Sequence, residues 1–290
     1  MFVGLQKTKT SSLAVGFFSI LNILLSIVLV TKFDLNIKGV AYGTLFSALI
    51  TSIIFLIYMF WYLSKYTKII IKLTQIINFK KIKNIFTINL NIFIRTILLT
   101  FSFLWFTYLG TQIGEDYVAA NAILINLVFL SAFILDAYAF STEGIVGYSL
   151  GKKDLNLFKK IIKNSFILSS LSGLLISIIY LFTYDHVINL MSDIKEIREL
   201  SSSYVVWLII LPIISSFCYQ FDGIFIGTSQ TKELRNAMIF SVLIYLIISI
   251  LLTKFLFNTG IWISLCIFMI LRAISLFYYL DKIYLKFRNN

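Results

Sequence analysis

The chain has 290 residues, 59% hydrophobic and 13% charged, against roughly 45–50% and about 25% in a soluble domain. That balance excludes a soluble globular protein, and the continuously apolar runs exclude a β-barrel, whose strands alternate over about ten residues. The net charge of +12 would suit nucleic acid, but the basic residues sit in short segments between apolar runs, so no nucleic-acid partner is expected.

The first element is a short motif, Phe2-Val3-Gly4-Leu5-Gln6-Lys7-Thr8-Lys9, which returns as Phe225-Ile226-Gly227-Thr228-Ser229-Gln230-Thr231-Lys232. Each copy is followed by an apolar run, then Lys-Phe (Lys32-Phe33; Lys254-Phe255), then Gly with a β-branched residue (Gly39-Val40; Gly260-Ile261) and a second apolar run. The shared sequel marks an internal repeat. Helix pairs precede the second copy and almost nothing precedes the first.

Eight spans are expected, over 11–31, 40–63, 86–110, 117–149, 160–183, 204–227, 235–256 and 260–281, giving an all-α polytopic membrane protein. Of the 25 basic residues, 18 fall in connections on one side and five on the other, with Arg95 and Arg272 inside spans. The positive-inside rule then places both termini in the cytoplasm. The stretch 64–83 repeats Ile69, Ile70, Leu73, Ile76 and Ile77 at helical spacing beside Lys68, Lys72, Lys80 and Lys81. It reads as an amphipathic helix at the cytoplasmic interface, linking two lobes. The connection 184–203 reads as a short external helix.

Five ionisable residues interrupt the apolar runs: Arg95, Asp136, Glu143, Asp222 and Arg272. Each costs roughly 2.5–3.5 kcal/mol if it faces lipid alone, so pairing or hydration in a cavity is expected. Counted from the cytoplasmic ends, Arg95 and Asp136 lie at similar depth on consecutive spans, which makes them the expected pair. Asp136 and Glu143 are two helical turns apart and share a face. That face either lines a cavity that attracts cations or exchanges protons, or is tied to neighbouring helices; both readings are open. Pro212 removes a backbone hydrogen bond in mid-span and is either a hinge or a packed bend. Gly223-x-x-x-Gly227 and Gly39-x-x-x-Gly43 would permit close helix approach. Cys218 and Cys266 lie in apolar runs and His186 in a loop. With no phosphate loop or zinc-ligand spacing, neither an enzyme, a metal site nor a cofactor is expected.

Gly4-Leu5-Gln6-Lys7-Thr8-Lys9-Thr10, Asn22 in the following span, and Gly39-Val40-Ala41-Tyr42-Gly43 resemble the multidrug and toxic compound extrusion (MATE) transporters. Ala119-Ala120-Asn121-Ala122 sits where that family has its Ala-Ala-(Asn/His) signature. The stretches Leu135 to Glu143 and Phe221 to Gly227 are similar to its DNA-damage-inducible F branch. The resemblance implies two six-helix lobes moving by alternating access. The eight spans match the family's fifth to twelfth, so the first four are expected to be missing. Residues 1–63 would be the last two helices of the first lobe, 64–83 the linker and 84–290 a complete second lobe.

The implied function is a secondary antiporter in the plasma (inner) membrane, exporting organic cations or other small toxic compounds, as a monomer in the lipid bilayer. Asn121 and Asn22 become candidate polar groups of its cavity. Asp222 stands where the sodium-linked branch has a coupling carboxylate, and Arg95 stands where its acidic partner would be. A guanidinium repels sodium, so H+ is the expected coupling ion rather than Na+ if Asp222 couples at all. The alternatives are a lipid-linked saccharide flippase of similar architecture and a remnant that does not transport.

Overall fold

The computed structural model describes residues 8–66 and 79–288. The opening motif up to Lys7 and the core of the expected interfacial linker, residues 67–78, lie outside the described residues. The chain divides into two compact units, Met1–Ile82 and Lys83–Asn290. Among the described residues all regular structure is helical.

In the first unit, α1 (Thr8–Thr31) and α2 (Asn36–Tyr66) form a hairpin. Its turn uses left-handed backbone at Asp34 (φ 50°) and Asn36 (φ 45°), the residue types whose short polar side chains tolerate it. The two helices cross on glycine. A Cβ at Gly43 would lie 2.4 Å from Ser26 Oγ and 2.9 Å from Ser26 Cα, and one at Gly39 3.1 Å from the Leu29 carbonyl carbon. The Gly39-x-x-x-Gly43 spacing is therefore a true close crossing. Asn22 sits in this hairpin, accepting hydrogen bonds from Ser26 Oγ at 3.0 Å and Thr44 Oγ1 at 3.4 Å.

The second unit takes most of α3 (Phe79–Ile113), then α4 (Glu115–Gly151), α5 (Leu155–Met191), the short α6 (Lys195–Ser203), α7 (Val205–Gly227) and α8 (Thr231–Arg288). Six helices of the described residues before α8 are long and apolar enough to cross a membrane, and α8 is long enough to do so twice. Its 58 residues would extend about 87 Å if straight, nearly three times a ~30 Å hydrocarbon core. The backbone breaks at Phe257 (φ 50°, ψ −133°) and folds back. Tyr245 and Phe268, on opposite sides of the break, bring their rings to 5.1 Å, so the two limbs run antiparallel. The eight expected spans are thus present, the last two joined by one irregular residue.

Local chemistry stops the other helices. The α4–α5 turn carries Lys153 at φ 57°, and Asp154 then caps α5 by accepting from the Leu157 N–H at 2.9 Å. Gly114 alone separates α3 from α4, and Tyr204 alone separates α6 from α7.

The most deeply buried span is α7, against which α4, α5 and α8 pack. Glycine again sets the approach. A Cβ at Gly223 would lie 2.4 Å from the Ala139 carbonyl oxygen, and one at Gly227 2.4 Å from that of Glu143. These are backbone atoms that cannot move aside, so Gly223-x-x-x-Gly227 fixes the α4–α7 contact. Apolar side chains fill two clusters. One is built around Phe106, Leu124, Leu208 and Trp262, the other around Phe158, Ile224, Phe225 and Ile283.

Candidate functional site

Charge inside an apolar lobe must find opposite charge. Asp222 of α7, 5% exposed, accepts from two guanidinium groups through the same oxygen, Oδ2. Arg272 Nη2, from the second limb of α8, donates at 2.8 Å, and Arg95 Nη2 of α3 donates to it as well. Arg272 is 1% exposed and lays its guanidinium 5.4 Å from the Phe268 ring centre. One carboxylate therefore joins three helices that are distant in sequence. Asp222 Oδ1 and the Nε atoms of Arg95 and Arg272 are buried without a hydrogen bond.

This corrects the expected Arg95–Asp136 pair. The expectation counted depth from the ends it assigned to the cytoplasm, and at the end opposite the α3–α4 turn the helices run on to different lengths. Tyr117 and Tyr204, with rings 6.4 Å apart, show that the α3–α4 turn and the start of α7 share one end of the lobe. Measured from there, Arg95 lies 18 residues before Ile113 and Asp222 lies 17 after Val205, at matching depth. Asp136 is 21 residues after Glu115, about one helical turn deeper.

Asp136 is half-buried beside this cluster, within the electrostatic reach of Asp222, Arg95 and Arg272. Its carboxylate makes no ion pair or hydrogen bond among the described residues. Glu143, two turns along the same face of α4, is also half-buried and makes no ion pair or hydrogen bond among the described residues. With Asp136 counted, the group of Arg95, Arg272, Asp222 and Asp136 is neutral overall. It contains one carboxylate held by two cations and one that forms no ion pair or hydrogen bond among the described residues.

The other candidates are placed as follows. Asn121 is 3% exposed and engaged through both its nitrogen and its oxygen: it donates to Asn258 Oδ1 at 2.6 Å and accepts from Asn258 Nδ2 at 3.1 Å and Trp262 Nε1 at 2.9 Å. These bonds pin α4 to the start of α8's second limb. A small cavity of about 140 Å³ between α3 and α4 borders Asn121 and Gly110. Asn22 belongs to the α1–α2 hairpin described above. Pro212 is buried inside an unbroken α7, and a Cβ at Gly173 of α5 would lie 2.7 Å from its carbonyl oxygen. A glycine thus makes room for the proline carbonyl. His186 makes no cluster, and no metal-holding group of His, Cys, Asp or Glu exists among the described residues.

Sequence reasoning missed several polar links. Thr142 Oγ1 donates to Gln220 Oε1 at 2.9 Å, close to the Gly223 crossing. Asn91 of α3 donates to Thr231 Oγ1 at 3.3 Å and accepts from Arg235 Nη1 at 2.9 Å. Thr231 is the threonine of the repeated Gly-x-x-x-Thr-Lys motif, so that motif ties the α7–α8 turn to α3. Its recurrence was the available signal.

A protein-family model for MatE matches residues 92–253. The DNA damage-inducible protein F of Escherichia coli is 29% identical over 280 residues, covering 94% of this chain and 59% of that protein. Protein DETOXIFICATION 43 of Arabidopsis thaliana is 24% identical, with 95% of this chain and 51% of the relative covered. The multidrug export protein MepA of Staphylococcus aureus is 26% identical over 224 residues, with 77% and 48% covered. The chain therefore spans about half to three-fifths of the length of these relatives. An outward-facing multidrug resistance MATE transporter of the MOP superfamily superposes with a TM-score of 0.88 at 18% identity, covering 100% of this chain and 65% of that one. The Vibrio cholerae MATE transporter VcmN, in its bent form, superposes at 0.79 with 18% identity, covering 95% and 62%. With more than half of its residues matched by the family model and its helices laid out as in these transporters, the chain belongs to the MatE family.

Proposed function

We propose that the chain works in the export of small toxic compounds, organic cations among them, by alternating access coupled to inward movement of a cation. H+ is the proposed coupling ion, and the membrane-embedded charge group supplies the carrier. The observation that carries this reading is the division of labour between two carboxylates. Asp222 shares one oxygen between Arg95 and Arg272, which blocks a sodium ion by repulsion. Asp136 stands beside it uncommitted and half-buried, where a carboxylate can take and release a proton as the lobe opens to either side. Pro212 serves as a bend about which α7 flexes, and both termini face the cytoplasm with the basic connections. The multidrug export protein MepA, a relative by sequence, supports the substrate class.

The test is ethidium efflux from cells that lack their own exporters and express this chain. Efflux should exceed that of the empty vector, stop when a protonophore collapses the pH gradient and ignore replacement of sodium by choline. The Asp136→Asn variant should insert at normal levels and lose efflux. Absence of efflux would overturn the transport reading. Efflux that follows the sodium gradient, or that Asp136→Asn leaves intact, would overturn the coupling assignment.

A further inference from the structure

Along the seam between α5 and the second limb of α8 runs a groove with two different ends. Its mouth, about 510 Å³, is lined by Leu155 and Lys159 of α5 and by Asp281, Tyr284 and Leu285 of α8. One turn deeper the same two helices, joined by α7, line an apolar trough of about 440 Å³ with Ile162, Phe166, Phe217, Phe221, Ile274 and Phe277. Lys159, Ile162 and Phe166 follow one another at helical spacing on α5, and Asp281, Phe277 and Ile274 do so on α8, so mouth and trough lie in line along the same two helix faces. The rings are in contact: Phe166 with Phe221 at 4.9 Å and Phe221 with Phe277 at 6.3 Å. Phe277 is 66% exposed and Ile274 59%, so the trough is open along its side.

The mouth has an unusual charge pattern. Lys282 nearby is committed to Glu233 at 3.4 Å, and Lys152 lies 4.5 Å from the Tyr148 ring. Lys159 and Asp281 line the same groove, are exposed, and form no ion pair with each other or with any other described residue. Among the described residues, a cation and an anion outside any ion pair thus line the polar end of an aromatic trough. From Lys159 to Phe166, and from Asp281 to Ala273, the helices rise about 10–12 Å, most of one leaflet of a ~30 Å hydrocarbon core.

We propose that this seam is a binding site for one phospholipid with a zwitterionic, ammonium-bearing headgroup of the phosphatidylethanolamine type. The phosphate meets Lys159, the ammonium meets Asp281, Tyr284 stands at the interface, and one acyl chain fills the phenylalanine trough. A purely anionic lipid would meet Asp281 with like charge. A second copy of the chain would leave the two uncommitted charges with no stated partner. The inference does not rest on the transport reading, since a chain that exports nothing can still hold the lipid.

The experiment is native mass spectrometry of the 290-residue chain in mild detergent, offered equal amounts of phosphatidylethanolamine, phosphatidylglycerol and phosphatidylcholine with identical acyl chains. The ethanolamine lipid should be retained about two- to fivefold over the other two, the range an exposed ion pair supplies. Asp281→Asn should erase that preference while keeping a lipid bound, and Lys159→Gln should lower retention of all three. Ile274→Trp, which fills the open side of the trough, should remove the adduct. All three positions are exposed, so helical circular dichroism and a monodisperse elution profile should match the wild type. Equal retention of the three lipids, preference for phosphatidylglycerol, an adduct that survives Ile274→Trp, or a protein dimer that Ile274→Trp dissolves would each overturn the proposal.

Discussion

Replacing Asp222 by leucine should be among the most damaging single changes in the lobe, and its cost can be worked from the geometry. The substitution removes two charge-assisted hydrogen bonds, from Arg95 and from Arg272, each worth about 1.5–3 kcal/mol. It also leaves Arg272, 1% exposed, as a buried cation without a partner, while Arg95, whose side chain is 15% exposed, has some access to water. Breaking a buried pair from one side costs about 3–5 kcal/mol. Taking out both buried charges should cost much less, because hydrophobic replacements of similar volume are close to neutral. The pair Asp222→Leu with Arg272→Met should therefore recover most of the loss, and Arg272→Met alone should fall between. The assay is reversible unfolding in mixed detergent–SDS micelles followed by circular dichroism, comparing the three variants with the wild type in a double-mutant cycle. A loss below about 1 kcal/mol for Asp222→Leu, or no recovery in the double variant, would refute the view that this carboxylate is the electrostatic centre of the lobe.

Two further outcomes follow from close contacts. Gly227→Val places side-chain atoms against the Glu143 carbonyl oxygen, already 2.4 Å from an ideal Cβ, and should destabilise the lobe by about 1–3 kcal/mol. Gly151→Val, where a Cβ meets nothing within 4 Å, should cost far less, and equal losses in the same unfolding assay would count against helix approach as the cause. Asn121→Leu should cost about 2–3 kcal/mol by orphaning Asn258 and the Trp262 N–H, and it should blue-shift or broaden Trp262 fluorescence in a variant retaining only that tryptophan. An unchanged spectrum and stability would show that the asparagine pair does not hold α4 to α8.

Much of the architecture was legible in the sequence because a bilayer leaves few options. Long apolar runs must become helices, since backbone groups in hydrocarbon have no other partners. Eight such runs were enough to state the helix count, and the repeated Gly-x-x-x-Thr-Lys segment with the Ala119-Ala120-Asn121-Ala122 stretch carried the family resemblance. That Arg95, Asp222 and Arg272 needed partners was also legible, from the cost of isolated charge in lipid. Their actual pairing was not. Arg95 faces Asp222, 127 residues away, rather than the acid on the next span, because the helices are aligned at the end that holds the α3–α4 turn and differ in length at the other. The weight of Gly223 and Gly227 was hidden for the same reason. A small-residue spacing recurs by chance in apolar helices, and only the lack of room for a Cβ, which would lie 2.4 Å from the Ala139 or Glu143 carbonyl oxygen, separates a crossing point from a coincidence.

By itself, then, the sequence determined the class of solvent and the number of crossings, because hydropathy and periodicity are local properties. Tertiary structure alone decided which carboxylate is held and which is free. Asp136 and Asp222 are chemically identical acids in similarly apolar runs, and they differ only in what α3 and α8 bring to them. Two guanidiniums converge on Asp222, and among the described residues none forms an ion pair with Asp136. That difference is a matter of helix rotation and depth within the lobe, which no local pattern encodes.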